Sequence, residues 1–256
     1  MENPILEVRD LELSFGGLQS VDRVSFKVNS SEIFGMIGPN GSGKTCVLNM
    51  ISGVYKVDKG AVIFQGRDIT NIAVHKRAAL GIARAFQNVE LFRGMTVLEN
   101  LLFGCHASMK GNLFSCGFYW WGLAQKEEIA FRKQVEEVID FLELGLYRKR
   151  MAGDLPIGVQ KLVGVGRALV MKPKLLLLDE ASSGMNREEK EDMARFLLRI
   201  KYDLSIPIVW VEHDIQIVTD ICDTLIVLNE GRKIAEGSPE SVVADAEVLR
   251  LYIGTD

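Results

Sequence analysis

Apolar and polar positions change their period twice along this chain, and the changes predict the order of its elements. Ile5 to Phe15, Val24 to Val28 and Ala61 to Phe64 alternate apolar with polar residues. A period of two predicts strands with one buried face, and tight turns are expected at Gly16-Gly17 and Gln65-Gly66. Ile33 to Ile37 is apolar without alternation, which suits a strand covered on both faces. The alternating strands are expected to form an antiparallel arm beside it. From Thr96 onward the period becomes helical. Phe131, Val135, Val138, Ile139 and Leu142 share one face, and Gly145 is the expected C-cap. Short apolar runs return at Leu175 to Leu178 and Ile208 to Val211, each flanked by helical pattern. That arrangement predicts a parallel sheet built by crossovers. Leu225 to Leu228, a turn at Asn229-Glu230-Gly231, and Lys233 to Ala235 read as a late hairpin.

One segment converts this pattern into chemistry. Gly38-Pro39-Asn40-Gly41-Ser42-Gly43-Lys44-Thr45 fits G-x-x-x-x-G-K-[ST] at every fixed position. It follows the buried strand and precedes a helix start at Cys46 to Ile51, the context that a phosphate-binding loop requires. Glycines there let backbone N–H groups turn inward around a polyphosphate. The helix N-terminus adds partial positive charge. Lys44 is expected to reach the β- and γ-phosphates, and Thr45 to place its hydroxyl on Mg²⁺.

Composition narrows the setting without changing that reading. With 256 residues, 48% apolar and 25% charged, the chain is long enough for a sizeable core. A net charge of -4 supplies no basic surplus for nucleic acid. Cys46, Cys105, Cys116 and Cys222 form no C-x-x-C pair, so reduced thiols are expected and a zinc site is not. No signal segment is expected at the N-terminus, and no apolar run approaches the ~20 residues that span a bilayer. His75 and His106 read as surface or packing residues. No repeat or long linker interrupts the chain. Residues 88 to 160 read as a helical insertion into one domain.

Further candidates sit where predicted strands end. Leu175 to Leu178 runs into Asp179 and Glu180. Two acids closing an apolar strand are costly unless cations meet them. Beside a phosphate loop, Asp179 is expected to hold Mg²⁺, usually through water. Glu180 is expected to polarise an attacking water. A helix-capping acid pair is the alternative. Trp210-Val211-Glu212-His213-Asp214 repeats the theme on the next strand. His213 is expected at the sheet edge where ligands of open α/β sheets bind. Phe15 offers a ring for a base to stack on, against the alternative of a core aromatic. Gln87 offers an amide that ligates Mg²⁺, against that of a solvated loop glutamine.

Taken in order, these pieces resemble the ATP-hydrolysing subunit of ABC (ATP-binding cassette) transporters along essentially the whole chain. The resemblance implies an α/β fold: a P-loop NTPase core with an antiparallel β-arm and an inserted helical subdomain. It implies a single nucleotide-binding domain over 1–256, with core and arm at 1–87 and 161–256 and the helical subdomain at 88–160. It implies ATP and Mg²⁺ as cofactors. Phe15 takes the base-stacking position. Gly38, Asn40, Gly41, Ser42, Gly43, Lys44, Thr45 and Cys46 belong to Walker A. Gln87 is the Q-loop glutamine. Leu155, Gly158 and Gln160 stand in the signature. Asp179 and Glu180 close Walker B, with Glu180 as the catalytic glutamate. Ser183-Gly184-Met185-Asn186 is the D-loop, and His213 the switch histidine.

Finer text, Ala83 to Gly104, Val211 to Asp214 and Arg250 to Gly254, is similar to the branched-chain amino acid importers and their relatives for amides and urea. That implies a peripheral subunit on the cytoplasmic face of the inner membrane. Its partners would be two membrane subunits and a second ATPase chain, with no nucleic acid. The family's signature is close to Leu-Ser-Gly-Gly-Gln. This chain reads Leu155-Pro156-Ile157-Gly158-Val159-Gln160, which implies a heterodimer rather than a homodimer. Leu91, Phe92 and Val89 are expected to dock a membrane subunit. Phe118-Tyr119-Trp120-Trp121 is expected to pack the insertion, against the alternative of membrane contact. A soluble ABC ATPase acting on nucleic acid or ribosomes, and a poorly hydrolysing ATP-binding module, remain as rival functions. A GTPase is disfavoured, since no N-K-x-D motif occurs.

Overall fold

The computed structural model describes residues 4–85, 91–105 and 123–253. Gln87, Val89, His106, Cys116 and the Phe118–Trp121 run lie outside the described residues. The chain opens with strands β1 (Leu6–Phe15), β2 (Leu18–Val28) and β3 (Ile33–Ile37), then helix α1 (Lys44–Ser52). Strands β4 (Lys59–Phe64) and β5 (Arg67–Asp68), helix α2 (Val74–Leu80) and strand β6 (Ile82–Ala85) follow. Helices α3 (Val97–Cys105), α4 (Leu123–Phe141) and α5 (Ile157–Leu169) come next. The chain then alternates: β7 (Leu175–Asp179), α6 (Arg187–Leu204), β8 (Ile208–Val211), α7 (Ile215–Ile221). It ends with β9 (Thr224–Asn229), β10 (Arg232–Gly237), α8 (Pro239–Val243) and α9 (Ala246–Ile253).

Two compact units emerge, one from Met1–Gln87 with Lys174–Asp256 and one from Asn88–Pro173. The first holds two sheets. The arm is ordered β2-β1-β4-β5, with antiparallel neighbours. The core sheet is ordered β10-β9-β3-β8-β7-β6. All its neighbours are parallel except β10, which returns antiparallel on β9. One core fills the space between the sheets. Leu6, Val8 and Phe26 come from the arm, Leu48 and Ile51 from α1, and Met36, Leu177, Val211 and Ile226 from the core sheet. β3, β7 and β8 are buried at every position, so they read as continuous apolar runs.

The second unit packs α3, α4 and α5. Val97, Leu101, Val135, Ile139, Val163 and Leu169 are buried in it at helical spacing. A capping box starts α3: Thr96 Oγ1 accepts from the Glu99 N–H, and the Thr96 N–H donates to Glu99 Oε2. The helical subdomain was expected to end at 160. The unit instead runs to Pro173, because all of α5 is part of it. The expected C-cap of α4 is also displaced. Glu143, with φ of 58°, takes the left-handed position, and Gly145 starts a short 3₁₀ turn. The Leu144 N–H then donates to the Ile139 carbonyl at 2.8 Å, which tucks Leu144 into the core at 1% exposure.

A buried arginine ties the first unit together. Arg77 is 2% exposed on α2. Its Nη1 donates to the carbonyls of Met50 (2.6 Å) and Ile51 (2.7 Å), near the C-terminus of α1. Its Nη2 and Nε donate to the carbonyls of Thr70 (2.7 Å) and Ile72 (2.8 Å). The cation thus satisfies orphan carbonyls at the negative end of α1. Arg77→Met should therefore lower unfolding free energy by about 3 kcal/mol, because the carbonyls of Ile51, Thr70 and Ile72 lose this buried donor while that of Met50 keeps the Gly53 N–H. Arg77→Lys should recover roughly half by keeping the charge without the fork. Urea unfolding midpoints of the three proteins check both values.

Candidate nucleotide site

The loop between β3 and α1 is built on backbone conformations that glycine permits. Gly38 has φ of 152°, and a Cβ there would sit 2.1 Å from the Leu228 carbonyl oxygen. Gly43 has φ of 101°, and its Cβ would lie 2.6 Å from the Ser20 carbonyl oxygen. Both glycines let the loop close between β9 and the arm. Asn40 and Gly41 are exposed at its crest, while Ser42, Gly43 and Lys44 are buried. Lys44 Nζ donates to the carbonyls of Gly38 (2.8 Å) and Pro39 (2.9 Å) and to Ser42 Oγ (3.3 Å). Burial pushes the Lys44 ammonium below its usual pKa, and the carboxylates of Glu180 and Asp179 oppose that shift. Cys46 is half-buried one residue past Thr45, and burial pushes its thiol up.

β3 pairs with β8, and β8 with β7, so three loops meet at one sheet edge. Asp179 closes β7 opposite Val211 and is 2% exposed. The Thr45 hydroxyl donates to Asp179 Oδ1 at 3.4 Å. Glu180 adopts φ of 49°, a left-handed conformation that costs a non-glycine residue about 1–3 kcal/mol. Its N–H donates to the Val211 carbonyl at 2.9 Å. His213 Nε2 meets Glu180 Oε1.

The structure thus brings Lys44, Thr45, Asp179, Glu180 and His213 together. Phe15 ends β1 and is 47% exposed, braced edge-on by Tyr55 at 5.3 Å between ring centroids. The remaining expected contacts lie in the second unit. Leu155 is buried there, so its side chain anchors the motif in the core. Gly158 is also buried, and Gln160 Nε2 donates to the Leu155 carbonyl at 2.7 Å. Pro156 is the N-cap of α5 and, like Ile157, faces solvent. Leu91, expected to dock a partner, is only 9% exposed and belongs to the core. Phe92 does stay at the surface, packed edge-on against Phe103 and 5.6 Å from the Arg167 guanidinium.

Two site residues escaped the sequence reading. Glu212, 2% exposed, accepts from the N–H groups of Ser182 (2.8 Å) and His213 (3.1 Å). Arg84 pairs with Asp179 at 2.6 Å. A charge inside the short apolar strand Ile82–Ala85 was the available signal, since buried charges require partners. Asn186 also has a structural role. Its side chain accepts from the Glu189 N–H in a capping box that starts α6.

The profile of the ABC transporter family matches residues 21–183. The chain belongs to that family. The high-affinity branched-chain amino acid transport ATP-binding protein BraF of Pseudomonas aeruginosa is 34% identical, with 99% of each chain covered. LivG of Salmonella typhimurium, of the same description, is 36% identical, again with 99% of each covered. A probable LivG of Methanocaldococcus jannaschii is 36% identical over 98% of this chain and 97% of its own. Among solved structures, a nucleotide-free ATP-binding cassette from an ABC transporter superposes with a TM-score of 0.86 at 34% identity. It covers 99% of this chain and 100% of its own. A cassette in its ADP conformation matches with the same score, identity and coverage. The α/β fold with its antiparallel arm and helical insertion is therefore that of an ABC ATPase.

For this ABC cassette, binding and turnover are expected to respond to different residues. Lys44→Ala should weaken ATP binding roughly ten- to hundredfold, the worth of a hydrogen bond to a charged group. Glu180→Gln keeps the shape of the side chain but removes its carboxylate, the group expected to serve as the base. It should bind ATP normally while turnover falls by about 10²–10⁴-fold. ATP titration and single-turnover hydrolysis check the split, and normal turnover in Glu180→Gln would remove that residue from catalysis.

Proposed function

We propose that this ABC ATPase is the peripheral subunit that powers import of branched-chain amino acids, or of related amides, through a membrane transporter. The observation that carries the ATPase part is the meeting of Lys44, Thr45, Asp179, Glu180 and His213 at one sheet edge. The whole-length likeness to BraF and LivG supports the transport role. Among the described residues no helix is long and apolar enough to cross a membrane. Anchoring at the cytoplasmic face would therefore come from two membrane subunits.

The chain's own groups divide the labour. Phe15 stacks the base. The loop N–H groups and Lys44 hold the phosphates. Thr45 and Asp179 offer oxygen atoms only, the donor set of a hard cation such as Mg²⁺. When bound, that ion neutralises charge on the β- and γ-phosphates. Glu180 accepts a proton from the attacking water. His213 would hold the Glu180 carboxylate in place through Nε2 and sense the γ-phosphate. Gln87 would report occupancy to the helical unit, whose exposed Phe92 and Phe103 suit contact with a membrane subunit.

The signature argues for a heterodimer of ATPase chains. Its solvent-facing residues are Pro156 and Ile157, which carry no side-chain donor. Leu155 is buried, and the Gln160 amide is engaged locally. A composite site completed by this signature would lack a hydrogen bond to the γ-phosphate. One such bond is worth about 1.5–3 kcal/mol, roughly ten- to hundredfold. The purified chain alone should hydrolyse ATP slowly, and the second ATPase chain should stimulate it. Pro156→Ser should raise the activity of the isolated chain by about tenfold. Steady-state ATPase assays with and without the partner check this, and robust turnover unchanged by Pro156→Ser defeats the asymmetry.

A further inference from the structure

Arg84 is placed to do more than neutralise a buried acid. Its side chain is 7% exposed and that of Asp179 is 2% exposed. Arg84 Nη2 donates to Asp179 Oδ2 at 2.6 Å. Nη1 donates to Asn49 Oδ1 at 2.5 Å and to Ser52 Oγ at 3.2 Å. Asn49 and Ser52 lie four and seven residues past Thr45, on the same face of α1. The guanidinium is thereby clamped between β7 and the helix face that carries the Thr45 hydroxyl.

This clamp divides the Asp179 carboxylate. Oδ2 is held by Arg84, and Oδ1 is turned toward Thr45 Oγ1 at 3.4 Å. A carboxylate with one oxygen fixed by a rigid fork has lost the rotation that would scatter the other. The two oxygens offered to a cation, one from β7 and one from α1, are then held in register through a single arginine. We infer that Arg84 is a positioning residue for magnesium: it aims Asp179 at Thr45 and sets the metal affinity of the site without touching nucleotide. The inference rests on the reading above that Asp179 serves the metal.

The clamp acts on the metal and not on the phosphates, so the two affinities should separate. Binding of a fluorescent ADP analogue is measured in EDTA and across a Mg²⁺ titration, with Mn²⁺ paramagnetic resonance as a direct metal readout. Arg84→Met should bind the analogue in EDTA within about twofold of the parent, and should need roughly tenfold or more Mg²⁺ for the half-maximal effect, the range seen when outer-shell partners of metal ligands are removed. Arg84→Lys keeps the charge without the fork and should fall between the two. An unchanged Mg²⁺ requirement overturns the inference. A lowered one also does, since it would make Arg84 a competitor of the metal. Asp179→Asn separates this from failure of the underlying reading. If Asp179→Asn keeps the full Mg²⁺ response, Asp179 does not serve the metal. If Asp179→Asn loses it while Arg84→Met keeps it, only the role of Arg84 falls. Circular dichroism verifies folding. Should Arg84→Met unfold, Asn49→Leu loosens the clamp while keeping both charges. That variant should raise the Mg²⁺ requirement roughly threefold, and no rise would overturn the inference.

Discussion

A carboxylate buried at the end of a wholly apolar strand is the constraint that the rest of the site answers. β7 carries four leucines without exposure before Asp179, which is itself 2% exposed. An isolated charge there would be expelled or neutralised. Three groups keep it instead: Arg84 from β6, the Thr45 hydroxyl from α1, and the field of Lys44. They come from two elements, β6 and α1, and meet the strand β7 that carries the acid. Docking α1 against β6 and β7 is therefore a condition for a charged Asp179, and the charged Asp179 helps hold those elements together. Breaking such a pair from one side leaves an uncompensated buried charge, so the network locks the local packing as well as the chemistry.

Sheet order turns that local network into a site. β3, β8 and β7 are neighbours, yet the loops that leave them begin at Gly38, Glu212 and Glu180. Parallel pairing puts the carboxyl ends of all three on one edge. The phosphate loop, the acid pair and the histidine become adjacent although the chain travels through both units between them. The arm contributes from the other side: the Ser20 carbonyl stands where a side chain at Gly43 would collide. The glycine at that position thus serves closure of the arm onto the loop, in addition to any approach of a phosphate.

What was legible in the sequence is what the chemistry writes contiguously. Gly38 to Thr45 announces its loop because left-handed backbone, a lysine and a hydroxyl are needed within eight positions. Asp179 and Glu180 stand out because an apolar run ends abruptly in charge. His213 could be placed because its strand was readable. Arg84 could not be paired in advance, since the contact depends on β6 lying beside β7 across 95 positions. Leu91 was misread because an apolar residue in the short run Val89-Glu90-Leu91-Phe92 looks the same whether it faces a partner or its own core. The end of α4 was misread because burial of Leu144 outweighs the preference for glycine at a left-handed position. In each case tertiary packing decided between local options that the sequence left equal.

Glu212 shows how far that packing reaches into the chemistry. It follows β8 immediately and is buried, with one oxygen on the Ser182 N–H and the other on the His213 N–H. Ser182 lies two residues after Glu180, so one carboxylate holds the backbone on both sides of the Glu180–His213 pair. Glu180 adds its own N–H bond to the Val211 carbonyl and accepts a left-handed backbone in doing so. The strain is tolerable because the surrounding hydrogen bonds over-determine the turn. Side-chain rotation alone would leave the acid and the imidazole many relative placements. Fixing both backbones from β8 removes most of them, so the spacing between Glu180 and His213 is a property of the sheet. The segment that begins at Ser182 and the backbone of His213 are thereby tied to one carboxylate, so a shift of the loop preceding α6 bears on the histidine that meets Glu180.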